Sequence, residues 1–401
     1  MRGLVLEGGG TKGSYQIGAY KALNEMGMDF QGITGSSIGA LNGAYIVQGD
    51  IKIMEEIWLE YDYKHFINVD FETYEKLKDI DTNMKQMNQI FSLIKKSFKE
   101  NDGIDITPLR EMLEKTLDEE KIRNRGIDFG MVTMYIDKKL NPQSLFLEDI
   151  EKGRLVDYLI ASASLPIFKM NIMDNKLYVD GMFVDNLPIG MLEKKGYKDI
   201  VAIRIQDNLQ GTMSIRKHND LNLTVVYPSE YLGGSMNKDR DHIQKNINLG
   251  YLDTMKTFGK YDGVRFYFRN TENITEDLCF EKIRRISKKD IEFLCKVLNI
   301  RRNPDLRTLM EVIVPKIGEV LNLPKSFSYK DLYLSLYENI LEKNNKNRIK
   351  VYDVNSVIKD AYNNLYFDYK NYKKNNIRLA IPQRNDYKKS AVVECLINNF
   401  K

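Results

Sequence analysis

The sequence predicts an α/β fold followed by a helical region, and three observations carry that expectation. A short apolar strand at the N-terminus runs into glycines and a helix, and a second strand and helix follow at once. Strand-like apolar runs recur as far as residue 227. Beyond that point the apolar residues fall at helical spacing.

Taken in order, "RGLVLEG" (2–8) is the first strand, and "SYQIGAYKALNEMG" (14–27) is a helix with Ile17, Tyr20, Ala22, Leu23 and Met26 on one face and Gly27 as its C-cap. "FQGITG" (30–35) and "IGALNGAYIVQG" (38–49) repeat the strand–helix unit. Residues 50–125 read as mainly helical. They include a stripe of Met84, Met87, Phe91, Ile94 and Phe98, and a helix capped by Thr107 with Pro108 in its first turn. Further strands are expected at 128–136, 176–181, 199–205 and 221–227, with a helix at 154–164. "SKKDIEFLCKVL" (287–298) and "SYKDLYLSLYENIL" (328–341) each open with Ser-x-x-Asp, a near capping box. The expected division is 1–205, a continuation of the α/β part over 206–270, and a mainly helical domain over 271–401, with a polar linker at 342–350.

The chain has 401 residues, 43% hydrophobic and 29% charged, with a net charge of +4. That balance fits a globular protein and gives no argument for nucleic acid. Cys279, Cys295 and Cys395 lie far apart and read as reduced, buried thiols. No signal-like segment and no run of about 18 apolar residues is present, so a cytoplasmic protein is expected. The histidines and cysteines lack ligand spacing, so neither metal nor cofactor is implied.

Gly8, Gly10 and Gly13 in "LEGGGTKG" satisfy the dinucleotide pattern G-x-G-x-x-G. That reading wants an acid closing the second strand, where this chain has Gly35-Ser36-Ser37; Asp29 lies at the wrong end. A phosphate loop fails too, because Ser14 follows Gly13 where a lysine is needed, and Lys12 is two places early. The same glycines suit an oxyanion. Gly35, Ser37 and Gly39 form G-x-S-x-G between strand and helix, the context of a nucleophile elbow, with the Ile38 amide at the helix start.

A serine nucleophile needs a base. His65, His218 and His242 are the three histidines, and none lies in a strained or glycine-rich turn, although chain order permits a Ser-His-Asp triad. The carboxylate alternative is Asp180 in "KLYVDGMFVDNLP", at a strand end before Gly181, with Asp185 weaker.

The combination of "GGGTKG", G-x-S-x-G, "ASASLP" (161–166) and Asp-Gly before "NLP" resembles the patatin-like phospholipases closely over residues 3–205, and more loosely to 246–260, where it is similar to bacterial members. The resemblance implies a three-layer α/β/α fold with a mainly parallel sheet and hydrolysis of lipid acyl esters by a Ser-Asp dyad. Ser37 is then the nucleophile, Asp180 the base, and the amides of Gly8, Gly9 and Gly10 the oxyanion hole. The expected partner is a phospholipid or other acyl-ester lipid, with peripheral membrane contact through the 84–98 stripe or the Tyr- and Lys-rich 362–378 segment as an option. Met182 follows Gly181 where the family usually has Gly or Ala, which is expected to narrow the cleft beside the base. A binding module without turnover would lack the serine, the aspartate or a loop glycine; all are present.

Overall fold

Strand β1 (Arg2–Leu6) is buried along almost its whole length, as a parallel strand covered on both faces must be. Around it the computed structural model places β2 (Gly32–Ser36), β3 (Asp128–Ile136), β4 (Leu140–Phe146), β5 (Asn171–Met173), β6 (Lys176–Asp180), β7 (Asp199–Ile203) and β8 (Asn222–Val226). The structure describes residues 1–80, 103–137, 139–206, 209–218, 220–364 and 381–401. These residues divide into two compact units, Met1–Thr257 and Phe258–Lys401.

The sheet order in the first unit is β5-β6-β3-β2-β1-β7-β8, with β4 on β3 as well. β8, β7, β1, β2 and β3 are parallel, while β4, β5 and β6 add an antiparallel end. The helices are α1 (Ser14–Glu25), α2 (Ile38–Gln48), α3 (Ile51–Glu60), α4 (Phe71–Leu77), α5 (Thr107–Thr116), α6 (Glu119–Asn124), α7 (Leu155–Ser162), α8 (Ile189–Lys194), α9 (Leu209–Lys217) and α10 (Arg240–Thr257).

Side-chain size assigns helices to both sheet faces. Gly3 and Gly32 are cross-strand partners, and their missing side chains leave room for Leu192 of α8 and for Tyr197. One residue on, Ile33 and Phe129 point to the opposite face, where Gly43 of α2 lets the helix approach. The expected α/β/α layering follows from this alternation.

The pairings of β3 position the site. β4 occupies one edge of β3 from Gly130 to Ile136. The other edge is shared: β2 runs parallel to it and stops with Ser36 beside Val132, while β6 runs antiparallel and stops with Asp180 beside Thr133. Two strands therefore meet carboxyl end to carboxyl end on one edge.

Helix α1 is held to α10 by a reciprocal glycine contact. A Cβ on Gly18 would lie 1.7 Å from the Ile247 carbonyl oxygen, and one on Gly250 would lie 1.9 Å from that of Tyr15. The Tyr15 hydroxyl adds a bond to Asp253 Oδ2 at 3.1 Å.

The second unit has helices Glu276–Arg284, Lys288–Val297, Val314–Val320, Tyr329–Lys343, Val354–Asn364 and Ile381–Phe400. Ser287 and Ser328 cap their helices, Ser328 within a full capping box. A parallel strand pair, β9 (Tyr267–Arg269) with β10 (Val351–Asp353), was not expected from the sequence. Its presence places residues 258–270 with the second unit, whereas the sequence reading put the boundary near 270. Buried Glu338 fixes that segment by accepting the amides of Val264, Arg265 and Phe266 at 2.7, 2.9 and 3.0 Å.

Two local expectations change. Thr107 is the first residue of its helix, not its cap; Asp105 accepts both its amide and its hydroxyl. β4 was missed because "LNPQSLF" reads as a turn, and Pro142 is tolerated on a strand with only one partner. The 84–98 stripe, and residues 365–378 of the Tyr- and Lys-rich segment, lie outside the described residues.

Gly18→Ala should lower stability by about 2 kcal/mol or more in urea denaturation, because the backbone clash outweighs alanine's helix preference of about 1 kcal/mol. A stability gain would show that α1 and α10 are not in this contact.

Candidate active site

Ser37 sits between β2 and α2 at φ 53° and ψ −126°, a left-handed backbone that a non-glycine residue adopts only under constraint. The constraint is visible in its neighbours. A Cβ on Gly35 would lie 2.3 Å from the Gly39 carbonyl carbon, and one on Gly39 would lie 2.2 Å from the Leu6 carbonyl oxygen. The turn therefore folds flat against the end of β1, and the serine hydroxyl is the part left projecting. Ser162, at the end of α7, pins the elbow: its hydroxyl accepts the Ser37 amide at 2.9 Å and donates to Val132 O at 2.7 Å.

The hydroxyl of Ser37 donates to Asp180 Oδ2 at 2.7 Å. Asp180 is fully buried, whereas Ser37 keeps 7% exposure, so only the serine is reachable from outside. The other carboxylate oxygen accepts the Met182 amide at 2.8 Å, and the Asp180 amide donates to Ser164 O at 2.8 Å. Burial pushes the Asp180 carboxyl up to about 7, against the opposing pull of the Met182 amide and the Ser37 hydroxyl. Met182 does not line the cleft beside Ser37; its contribution here is its backbone amide.

The glycine loop is clamped on both sides. The Gly8 carbonyl accepts Asn186 Nδ2 at 3.0 Å and Gln206 Nε2 at 2.8 Å, and the Gly8 amide donates to Asn186 O at 3.1 Å. Gly8 thus departs from its expected role, because its N–H is already engaged. The Thr11 amide donates to Ser235 O at 2.8 Å. Between these anchors the amides of Gly9 and Gly10, like that of Ile38 at the start of α2, have no acceptor among the described residues. Gly10, at φ 61°, lies so close to Ser235 O that a Cβ would come within 2.0 Å of it. Gly13 admits Ile38 and Asn42, and Gly181 lies flat against Val132 O, so both expected motif glycines serve close packing beside the pair.

Ser37, Ile38 and Gly10 open into a cleft of about 720 Å3, mouth included, walled mainly by Leu41, Trp58, Phe66, Leu109 and Phe168. Lys238 closes one wall. Its ammonium donates to the carbonyls of Ile57, Trp58 and Tyr61 at 3.2, 2.7 and 2.6 Å, capping the C-terminus of α3, and burial pushes it down to about 7. Ser162, Ser164, Asn186, Gln206 and Lys238 were not singled out from the sequence. "ASASLP" and "NLP" were the available signals for the first three, and Lys238 sits in an ordinary polar run.

The histidines are elsewhere. His65 pairs with Asp62, His218 with Glu193, and His242 lies against Gly233; none lines the cleft. Asp185 accepts the Leu187 amide at 3.2 Å and does not line the cleft.

A parallel α/β sheet with a strand–serine–helix elbow bonded to a buried carboxylate defines the class. Residues 4–192 match the family model described as patatin-like phospholipase. The chain is 27% identical over 213 residues to "Lysophospholipase NTE1" of Cryptococcus neoformans var. neoformans serotype D, an alignment spanning 51% of this chain and 11% of that protein. It is 25% identical over 222 residues to "Patatin-like phospholipase domain-containing protein 7" of Rattus norvegicus, spanning 50% and 13%. The matched region is thus about a tenth of the length of these relatives. Among solved structures, VipD from Legionella pneumophila aligns over 99% of this chain and 91% of its own at 13% identity, with a TM-score of 0.40. No helix among the described residues is long and apolar enough to cross a membrane.

The raised carboxyl has a stability consequence. The folded state holds the Asp180 proton more tightly than the unfolded chain, whose reference value is 3.8, so stability falls as pH rises between about 4 and 7. Asp180→Asn removes that penalty. Its Tm should exceed that of the unaltered chain at pH 8 and converge with it near pH 4, measured by calorimetry; equal Tm at both would refute a desolvated carboxylate.

Proposed function

We propose that this protein is a lipid acyl-ester hydrolase that works through a Ser37–Asp180 dyad. The observation that carries the reading is the 2.7 Å bond from the Ser37 hydroxyl to a buried carboxylate, made at the floor of an apolar cleft. Asp180 takes the serine proton as Oγ attacks the ester carbonyl, giving a tetrahedral oxyanion. The amides of Gly9, Gly10 and Ile38 would face that charge beside an apolar wall, where hydrogen bonds to a developing anion count most. Collapse releases the alcohol, protonated from Asp180, and water hydrolyses the acyl-enzyme by the same route.

A carboxylate with an ordinary pKa is a poor base at neutral pH, and the burial that raises Asp180 is what suits it to the task. The cleft supports an acyl chain as the part of the substrate that is bound, since its wall is apolar and its one buried ammonium is committed to three carbonyls. Because the fungal relative is named a lysophospholipase, a monoacyl phospholipid is the substrate to test first. The histidine alternative has no comparable support, as no imidazole lies beside Ser37.

A fluorophosphonate probe should label Ser37 stoichiometrically, read by mass spectrometry of peptides. Ser37→Ala and Asp180→Asn should each reduce kcat on lysophosphatidylcholine by about a thousandfold or more, and the double variant should lose little beyond that. Turnover by Asp180→Asn at near-normal rate, with loss in His218→Ala or His242→Ala, would replace the dyad by a triad. In the unaltered chain kcat/KM should rise with one proton lost near pH 7; a flat profile from pH 5 to 9 would exclude Asp180 as the base.

A further inference from the structure

The ammonium of Lys238 stands in the cleft wall and has no step in the proposed reaction. Lys238 is 7% exposed, and burying an ammonium costs far more than burying the apolar side chain that would fill the same place. Its bonds show what the charge is used for. The ammonium donates to the carbonyls of Ile57, Trp58 and Tyr61, and it lies 5.5 Å from the ring centre of Trp58 and 5.0 Å from that of Phe66. Both rings line the cleft.

Helix α3 ends on Tyr61 at φ −85° and ψ 129°, an extended residue rather than the left-handed cap that would turn backbone amides onto the last carbonyls. Lys238 supplies the donors instead, from a segment about 180 positions later. Trp58 is fixed at a second point. Its indole N–H donates to Asn42 Oδ1 at 3.1 Å, and Asn42 Nδ2 donates in turn to Gly13 O at 3.0 Å.

The segment that carries Lys238 also holds the glycine loop. Three residues earlier, Ser235 O accepts the Thr11 amide at 2.8 Å and lies against Gly10, while Gly234 O accepts the Thr11 hydroxyl at 3.2 Å. Met236, between the two anchors, lines the cleft. The Ser235 amide donates to Ile80 O at 3.0 Å, and the Lys238 amide to the Tyr74 hydroxyl at 2.9 Å. Tyr74 also stacks on Tyr63 of the wall, with ring centres 4.0 Å apart. Residues 234–238 are therefore a strap with the glycine loop at one end and the cleft wall at the other.

We infer that Lys238 is a specificity-determining positioning residue: it holds the Trp58 and Phe66 rings in register with the glycine loop and thereby sets how strongly the cleft discriminates acyl chains by length. The inference rests on the acyl-hydrolase reading for its substrate class. Contact attraction falls steeply once a gap of about half an ångström opens, so a methylene gains its full binding only against a wall that does not shift.

Trp58 is the only tryptophan in the chain, and its emission reports this wall directly. The full chain is titrated with hexanoate and with decanoate. In the unaltered chain each buried methylene should tighten binding by about fourfold. Lys238→Met keeps an unbranched side chain and removes the donor, and it should cut the decanoate-to-hexanoate affinity ratio at least about 10-fold. With p-nitrophenyl hexanoate and decanoate the same loss should appear in the ratio of KM values and far less in that of kcat. An unchanged ratio overturns the inference. So does an equal loss for both chain lengths, the mark of a merely structural lysine. If Lys238→Met does not fold, Tyr74→Phe tests the strap: it keeps the stack on Tyr63, removes the hydroxyl that accepts the Lys238 amide, and should lower the ratio by about threefold. An unaltered ratio there overturns the inference as well. Chain-length discrimination in binding that follows Lys238, in a protein that cleaves no ester, would uphold the inference and sink the hydrolase reading alone. An unaltered chain that binds neither acid and takes both esters alike overturns the inference.

Discussion

One edge of one strand has to serve two neighbours, and the site follows from that. β2 and β6 approach along the same side of β3 from opposite directions and stop one residue apart, at Val132 and Thr133. Neither can continue without displacing the other. The chain must leave the sheet at both ends, into a helix after Ser37 and into a tight turn after Asp180. The serine hydroxyl and the carboxylate are brought together by where the strands end. The Ser162 hydroxyl and the Ser164 carbonyl then fix each side of that junction to the rest of the unit.

Burial does the chemical tuning. Asp180 has no solvent contact, and its neighbours offer one amide and one hydroxyl but no cation. A carboxylate so placed is costly to ionise, and the fold holds it there because α7, β3 and the elbow close over it. The glycine loop is treated differently. Its outer peptide groups are saturated by Asn186, Gln206 and Ser235, which leaves the inner amides rigid and without acceptors. Preorganised donors of this kind owe their strength to bonds made elsewhere.

Much of this was legible in the sequence, for identifiable reasons. The first two strand–helix units announce themselves because β1 and β2 are apolar and end in glycines, and Ser37 and Asp180 stand in turns with strong local signatures. The antiparallel end was harder. β4 contains Asn-Pro, β5 has three residues, and neither shows a pattern that separates strand from loop; only pairing with β3 and β6 makes them strands. Gly8 was assigned by motif, and no motif reveals that a carbonyl six residues beyond Asp180 will take its amide. Lys238 was invisible for a similar reason: the three carbonyls that hold it belong to a helix and its C-cap about 180 residues earlier in the chain. What sequence patterns record well is backbone constraint. What they record poorly is a partner supplied from afar.

The cleft wall draws on Trp58, Phe66, Leu109 and Phe168, and none of these is on a strand of the sheet. They come from helices and connecting segments, while Ser37 and Asp180 belong to the ends of β2 and β6. Substitution at these four positions therefore changes no residue of the strands or of the elbow. In the proposed reaction such an architecture separates selectivity from chemistry: the helices and connecting segments set which acyl groups are admitted, and the strand ends hold the pair that would cut them.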